Sequence, residues 1–382
     1  MSKSANTAVQ NLLDRFVESD EETGVQVAAW LGEEQIVDCW AGVADPETGR
    51  LVDGDTLFNV FSVTKAVTAT CLHIQAERGL VDYDAPVAKY WPEFAAEGKG
   101  SITVKHVLSH ISGAFRMPPE VTPERLSDWD WIVKRLAEMP PDFPAGSGSS
   151  YQGMSFGWLV GEIVRRTDPK GREFKAFLKE ELADPIGATD LWIGIPDEAE
   201  PRIAKLDGSM AFVAPDGDPS LAAIPPQVAL LPDPFERPDV RRALVPAVGG
   251  IFNARSSARV WALLANGGTF NGVRLLSEGR VRSFVAPREH FDQPDPIFFN
   301  MPIPMSWSGY WMGGDNPPIC APRSHKALCH PGMGGNIGWA DLDTGLAVAF
   351  CHNRMVDWFD PESDHRMIVG DAIRAAIAGN VA

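Results

Sequence analysis

An antiparallel sheet flanked by helices from both chain ends, with a mostly helical lobe inserted between its halves, is the α/β (α+β) architecture this sequence predicts. Three observations carry it. Apolar, β-prone runs fill residues 24–30 and 35–40, a second pair at 336–341 and 346–352 is joined through Asp343-Thr344-Gly345, and helical spacing broken by proline and glycine dominates between them. The expected division is an α/β lobe of residues 1–61 and 245–382, an inserted helical lobe of residues 62–244, and an active site at their junction.

The first element is an amphipathic helix with Val9, Leu12, Leu13, Phe16 and Val17 on one face. The runs 24–30 and 35–40 then form a hairpin around Leu31-Gly32-Glu33-Glu34, and Asp45-Pro46-Glu47-Thr48-Gly49 turns the chain back toward an apolar run ending at Phe61. After Ser62, Val63, Val67, Cys71 and Ile74 recur at helical spacing until Gly79 stops them. A further helix is expected over about 103–110, ended by Ser112-Gly113, and Phe156, Leu159, Val160, Ile163 and Val164 stripe another. Proline clusters at 118–123, 140–144 and 215–238 read as surface connections, the last a lobe boundary. Beyond it, Gly249-Gly250-Ile251-Phe252 leads into a helix over 256–266. Asp360-Pro361-Glu362 caps a last helix striped by Val369, Ile373, Ala376 and Ile377.

A chain of 382 residues with 45% hydrophobic side chains can bury a large core. Its 51 acidic against 34 basic residues give a net charge of −17 with no Lys/Arg-rich run, which excludes a phosphate-backbone partner such as nucleic acid. No apolar run has the roughly 18-residue length of a membrane span, and the opening segment is amphipathic rather than a signal-peptide core. Cys39, Cys71, Cys320, Cys329 and Cys351 are odd in number and sit in mostly apolar contexts, as reduced thiols do. A cytoplasmic protein without a membrane partner is the expectation.

The chemistry is expected at Phe58-Asn59-Val60-Phe61-Ser62-Val63-Thr64-Lys65. Ser62 closes an apolar run and opens a helix, and Lys65 follows one turn later on the same face. Unpaired N–H groups at a helix start suit an acyl oxyanion formed on Ser62, and Lys65 supplies or tunes a proton acceptor. A serine N-cap with a solvated lysine would present the same residues. Among four tyrosines, Tyr151 stands apart because Gly146-Ser147-Gly148-Ser149-Ser150 precedes it and an apolar helix follows. Gly153-Met154-Ser155-Phe156-Gly157 fits the Gly-x-Ser-x-Gly elbow, but no buried strand can form over 143–152, so Ser155 is assigned to helix entry. Cys329-His330-Pro331-Gly332-Met333-Gly334-Gly335 precedes the clearest hairpin. Its glycines let a substrate approach the backbone, giving His330 and Gly332 as substrate contacts and the Met333 N–H as an oxyanion donor; a glycine-rich turn with a structural histidine is the alternative. His106 and His110 have helical metal-ligand spacing but lack an acidic third ligand, so no metal is expected.

Taken in order, Asp55-Thr56-Leu57-Phe58, Ser62-Val63-Thr64-Lys65, Asp82-Tyr83-Asp84-Ala85-Pro86-Val87, Val107-Leu108-Ser109-His110-Ile111-Ser112-Gly113, Gly249-Gly250 and the His330 turn resemble the serine β-lactamase and penicillin-recognising fold. The resemblance is to its class C β-lactamases and family VIII carboxylesterases in particular. It implies Ser62 as the acylated nucleophile, Lys65 and Tyr151 sharing general-base work, the N–H groups of Ser62 and Met333 as oxyanion hole, and no cofactor. Two departures bear on the substrate. Where the family has Tyr-x-Asn or Tyr-x-Ser this chain has Tyr151-Gln152-Gly153, which puts amide and β-lactam turnover in doubt. Where β-lactamases have Lys in the third motif it has His330, a weaker partner for a carboxylate. The expected activity is therefore a serine carboxylesterase acting on small short-chain or aromatic esters through an acyl-enzyme. The aromatic stretch 291–322 is a candidate acyl wall. Acyl transfer, D-amino-acid amide hydrolysis or weak β-lactamase activity are alternatives within the fold, and a non-catalytic penicillin-binding-like scaffold is one outside enzymes.

Overall fold

The computed structural model describes residues 3–208, 214–314, 323–356 and 362–379 of the chain. Strands β1 (Gly24–Leu31), β2 (Glu34–Asp45) and β3 (Arg50–Leu51) come from the N-terminal part. Three further strands form a small sheet: β4 (Phe58–Phe61), β5 (Leu191–Ile193) and β6 (Gly250–Phe252). Then come β7 (Trp311–Met312), β8 (Ala327–Pro331), β9 (Ile337–Asp341) and β10 (Leu346–His352). The seven-stranded main sheet runs in the order β7-β8-β9-β10-β1-β2-β3, antiparallel at every named pairing, with β1 against β10 in the centre. The two ends of the chain thus build one sheet, as their apolar, β-prone runs predicted.

Both faces of that sheet are covered, and the period of two decides which residue meets which cover. Val25, Val27 and Ala29 on β1, with Val348 and Phe350 on β10, pack in one layer with α1 (Lys3–Glu18) and the C-terminal helix, which spans His365–Gly379. Ala28 and Trp30, with Ala347, Ala349 and Cys351, face the other way into the main core shared with the helical part. There α2 (Val63–Glu77), α3 (Val104–Leu108), α4 (Trp129–Glu138), α5 (Ser155–Thr167) and α6 (Ala254–Ala265) lie together, and α6 packs directly on β1, β9 and β10. The C-terminal helix is α7.

Residues 63 to 76 of α2 are all buried, so this helix is enclosed on every side and its N-terminus opens onto the end of β4. β4 pairs with β6 and β6 with β5, in the order β4-β6-β5. Sequence alone does not place a strand at 191–193, because three residues cannot show an alternating pattern. Two helix bounds also differ. The expected helix 103–110 is Val104–Leu108, closed at its start by a reciprocal cap between Thr103 and His106, and the expected helix 256–266 starts two residues earlier behind an Asn253 cap. The expected cap at Asp360-Pro361, Cys320, and the 315–322 part of the aromatic stretch lie outside the described residues. No helix among the described residues is long and apolar enough to cross a membrane.

Candidate active site

Ser62 occupies the N-cap position of α2 but makes no side-chain cap hydrogen bond, so its hydroxyl is not committed to the helix. The residue before it, Phe61, has φ of +44°, a conformation that costs a bulky side chain energy. This turn, held by pairing of Phe61 with Gly250, swings the chain from strand to helix at Ser62.

Lys65 follows one turn on and is fully buried. Its Nζ lies 3.0 Å from Ser62 Oγ, 2.7 Å from the Gly153 carbonyl and 3.2 Å from the Ala247 carbonyl. Burial pushes its ammonium well below the usual lysine range. Two backbone carbonyls accept from this nitrogen, and its third contact is the Ser62 hydroxyl.

Tyr151 is 7% exposed, as is Ser62. Its ring lies 5.0 Å from Lys65 Nζ. Burial pushes its hydroxyl above the ordinary phenol range, more than the nearby Ser62 side chain lowers it. The phenol therefore holds its proton more firmly than an ordinary tyrosine does.

The Tyr151 segment is braced by residues that sequence alone did not identify. The buried Asp295 carboxylate accepts the Tyr151 N–H at 3.1 Å and the Ser149 hydroxyl, and Arg288 donates to Ser149 Oγ at 2.7 Å and to the Ser109 carbonyl at 2.8 Å. His110 stacks between Tyr151 (4.9 Å) and Phe156 (4.8 Å), and its Nδ1 accepts the Gln152 N–H at 2.8 Å. The Ser-Gly after His110 was a signal only by resemblance. Asp295 lies 144 residues from Tyr151, and no local pattern announces such a contact.

The turn carrying Met333 is bolted to the strand that leads into Ser62. A Cβ at Gly332 would stand 2.2 Å from the Val60 carbonyl, so only glycine lets the two backbones approach this closely. Asn336 Nδ2 donates to the Asn59 carbonyl at 3.2 Å. Met333 opens a single 3₁₀ turn, where N–H groups lack intrahelical acceptors, as they do at the start of α2. His330 on β8 is fully buried. Burial and then the nearby Lys65 lower its imidazole to about 3, its Nδ1 bonds the Pro331 carbonyl at 2.8 Å, and its Nε2 has no partner among the described residues. A neutral ring that donates from Nδ1 presents Nε2 as an acceptor.

The other candidates fall elsewhere. Ser155 is the first residue of α5, and its hydroxyl bonds the Phe115 carbonyl at 3.0 Å. His106 serves its helix cap, and no group of three or more His, Cys, Asp or Glu side chains that could hold a metal occurs among the described residues. Gly153 has no room for a larger side chain. A Cβ there would lie 2.6 Å from Ile224 Cγ1 and 3.2 Å from the Ala223 carbonyl, so Ile224 fills the place a side chain at this position would take. Of the aromatic stretch, Phe298 stands edge-on to Tyr151 at 5.8 Å and to Trp311 at 5.3 Å.

Known proteins resemble this chain over nearly its whole length. The chain is 32% identical over 372 residues to the esterase/beta-lactamase LipL of Mycobacterium tuberculosis, covering 91% of this chain and 80% of that protein. The crystal structure of a family VIII carboxylesterase superposes with a TM-score of 0.87 at 31% identity over 97% of each chain. A penicillin-binding protein homolog from Caulobacter crescentus does so at 0.85 and 32%, again over 97% of each chain. The model of the Beta-lactamase family matches residues 9–371, and with a sheet built from both chain ends beside a buried Ser62-x-x-Lys65 helix, the chain belongs to that family.

Proposed function

We propose that this protein is a serine esterase that hydrolyses small, uncharged carboxylic esters through an acyl-enzyme on Ser62. The observation that carries the proposal is the Lys65 amine, dry, 3.0 Å from the Ser62 hydroxyl and bounded otherwise by carbonyls. In acylation, Ser62 Oγ bonds to the ester carbonyl carbon as its proton passes to Lys65. The tetrahedral oxyanion is held by the N–H groups of Ser62 and Met333. The ester C–O bond then breaks and the alcohol leaves with the proton, relayed through Tyr151. In deacylation, water bonds to the same carbon, gives a proton to the Tyr151–Lys65 pair and releases the acid, while Ser62 regains its hydrogen. Each oxyanion donor is worth about 10² to 10³ in rate, which is why the clamps at Gly332 and Asn336 matter.

Three features support an uncharged ester over a carboxylate-bearing or amide substrate. His330 is neutral and offers a lone pair, which a carboxylate would repel. Ile224 stands where an amide-recognising side chain would sit beside Gly153. Phe298 and Trp311 stand edge-on to Tyr151 at 5.8 and 6.4 Å and make its surroundings apolar. The esterase names of the LipL protein and the family VIII structure point the same way. His330→Lys tests the preference. The ratio of kcat/KM for a carboxylate-bearing ester over its methyl ester is expected to rise several-fold at low salt and to fall back at high salt as the charge is screened. An unchanged ratio in a folded variant that still labels at Ser62 contradicts a role for His330 in substrate choice.

A further inference from the structure

Behind the Met333 turn lies a buried ionic chain that takes no part in the chemistry above. Glu22 is 1% exposed in the connection between α1 and β1. Its two carboxylate oxygens face two imidazoles: His352 Nδ1 lies 2.8 Å from Oε2, and His365 Nδ1 lies 2.8 Å from Oε1. Burial alone would raise this carboxyl, but the two histidines outweigh it and hold Glu22 below its ordinary range. His352 is 1% exposed at the end of β10, and its Nε2 lies 2.9 Å from the carbonyl of Gly334, the residue after Met333. The His352 ring is thus held at both nitrogens, between the Glu22 carboxylate and the Gly334 carbonyl. The His352 backbone holds the same turn, donating to Asn336 Oδ1 at 3.0 Å. His365 stacks on Phe16 at 3.8 Å, so α1 and α7 close over the carboxylate.

Gly334 and Gly335 have φ of +80° and +119°. Such a turn has little rigidity of its own and takes its shape from what grips it. We propose that Glu22 and His352 are positioning residues for the oxyanion site: the carboxylate orients the imidazole, and the imidazole fixes the Gly334 carbonyl and with it the direction of the Met333 N–H. The inference rests on Ser62 acting as nucleophile and Met333 as oxyanion donor, as proposed above. An oxyanion donor must lie within a few tenths of an ångström of its best distance, so a turn released at Gly334 loses rate before it loses fold.

Three variants separate positioning from mere packing. Gln at 352 places its amide nitrogen at about the reach of the imidazole Nε2, and Asn at about that of Nδ1. His352→Gln therefore keeps the Gly334 contact, His352→Asn keeps only the Glu22 contact, and Glu22→Gln weakens the orienting bond with almost no change in shape. Steady-state kinetics on a p-nitrophenyl ester are read beside fluorophosphonate labelling of Ser62. His352→Asn and Glu22→Gln are expected to lower kcat by roughly 10- to 100-fold with KM changed less than about threefold, and His352→Gln, which keeps the Gly334 contact without the orienting carboxylate, to lose less than His352→Asn. Equal effects of Asn and Gln at 352, or a kcat for Glu22→Gln within about twofold of wild type, would overturn the proposal. Should both histidine variants fail to fold, Glu22→Gln decides alone. Wild-type protein that hydrolyses the ester without labelling at Ser62 would instead show that the underlying assignment of nucleophile fails, and the positioning role with it.

Discussion

Lys65 Nζ lies 3.0 Å from Ser62 Oγ, and its two other contacts are backbone carbonyls, of Gly153 and Ala247. No carboxylate stands among these contacts to hold the ammonium charged, and burial works against it. A lysine in water, with a pKa of about 10.4, would be a poor base at neutral pH. Removal of water lowers the proton affinity of this one.

That environment has a cost in stability, and the sign follows from linkage. The folded-state pKa of Lys65 lies below its unfolded value, so between the two the unfolded chain binds the extra proton. Stability then rises with pH up to the unfolded value and is lost as pH falls through the folded one. Lys65→Met is expected to abolish ester turnover by at least about 10³ while raising Tm by a few degrees at pH 7, with the gain shrinking toward pH 10. Thermal melts of both proteins across pH check it. A Tm that falls, or a gain independent of pH, contradicts a desolvated amine.

In the proposed mechanism Tyr151 and Lys65 move one proton between them, so their losses are not expected to multiply. Tyr151→Phe and Lys65→Ala should each lower kcat/KM by about 10² or more, and the double variant should be little worse than the poorer single. Multiplied losses in the double variant would mean that the two groups act on separate protons.

Gly153→Asn drives its Cβ against Ile224, 2.6 Å from Cγ1, and overpacking of this kind costs about 1 to 3 kcal/mol. Adding Ile224→Ala removes the obstruction. The single variant is expected to melt lower than wild type, the double to recover most of that loss and to raise amide turnover relative to ester. Additive melting shifts would show that Ile224 does not occupy the space the introduced side chain needs.

The long, strongly patterned elements were legible from residues alone. The apolar, β-prone runs of β1, β2, β9 and β10 and the stripe of α5 required no tertiary information, and the Ser62 to Lys65 turn followed from helical spacing. Three things escaped. β5 was too short to carry a period. The Asp295–Arg288 brace under Tyr151 and the Glu22–His352 chain join residues 139 to 330 apart, and nothing local marks such pairs. At Gly153 the sequence shows only an absent side chain, whereas its place is taken by Ile224 from a proline-rich segment that looks like a connection. Ser155 shows the converse, a convincing five-residue motif whose hydroxyl is tied to the Phe115 carbonyl.

The most direct test of Ser62 as the activated nucleophile is mass spectrometry of the acid-quenched protein after brief exposure to an activated ester or a fluorophosphonate. A single adduct on the peptide containing Ser62, absent in Ser62→Ala and retained in Ser155→Ala, is the expected result. An adduct on Ser155, or ester turnover that survives in Ser62→Ala, would contradict the account.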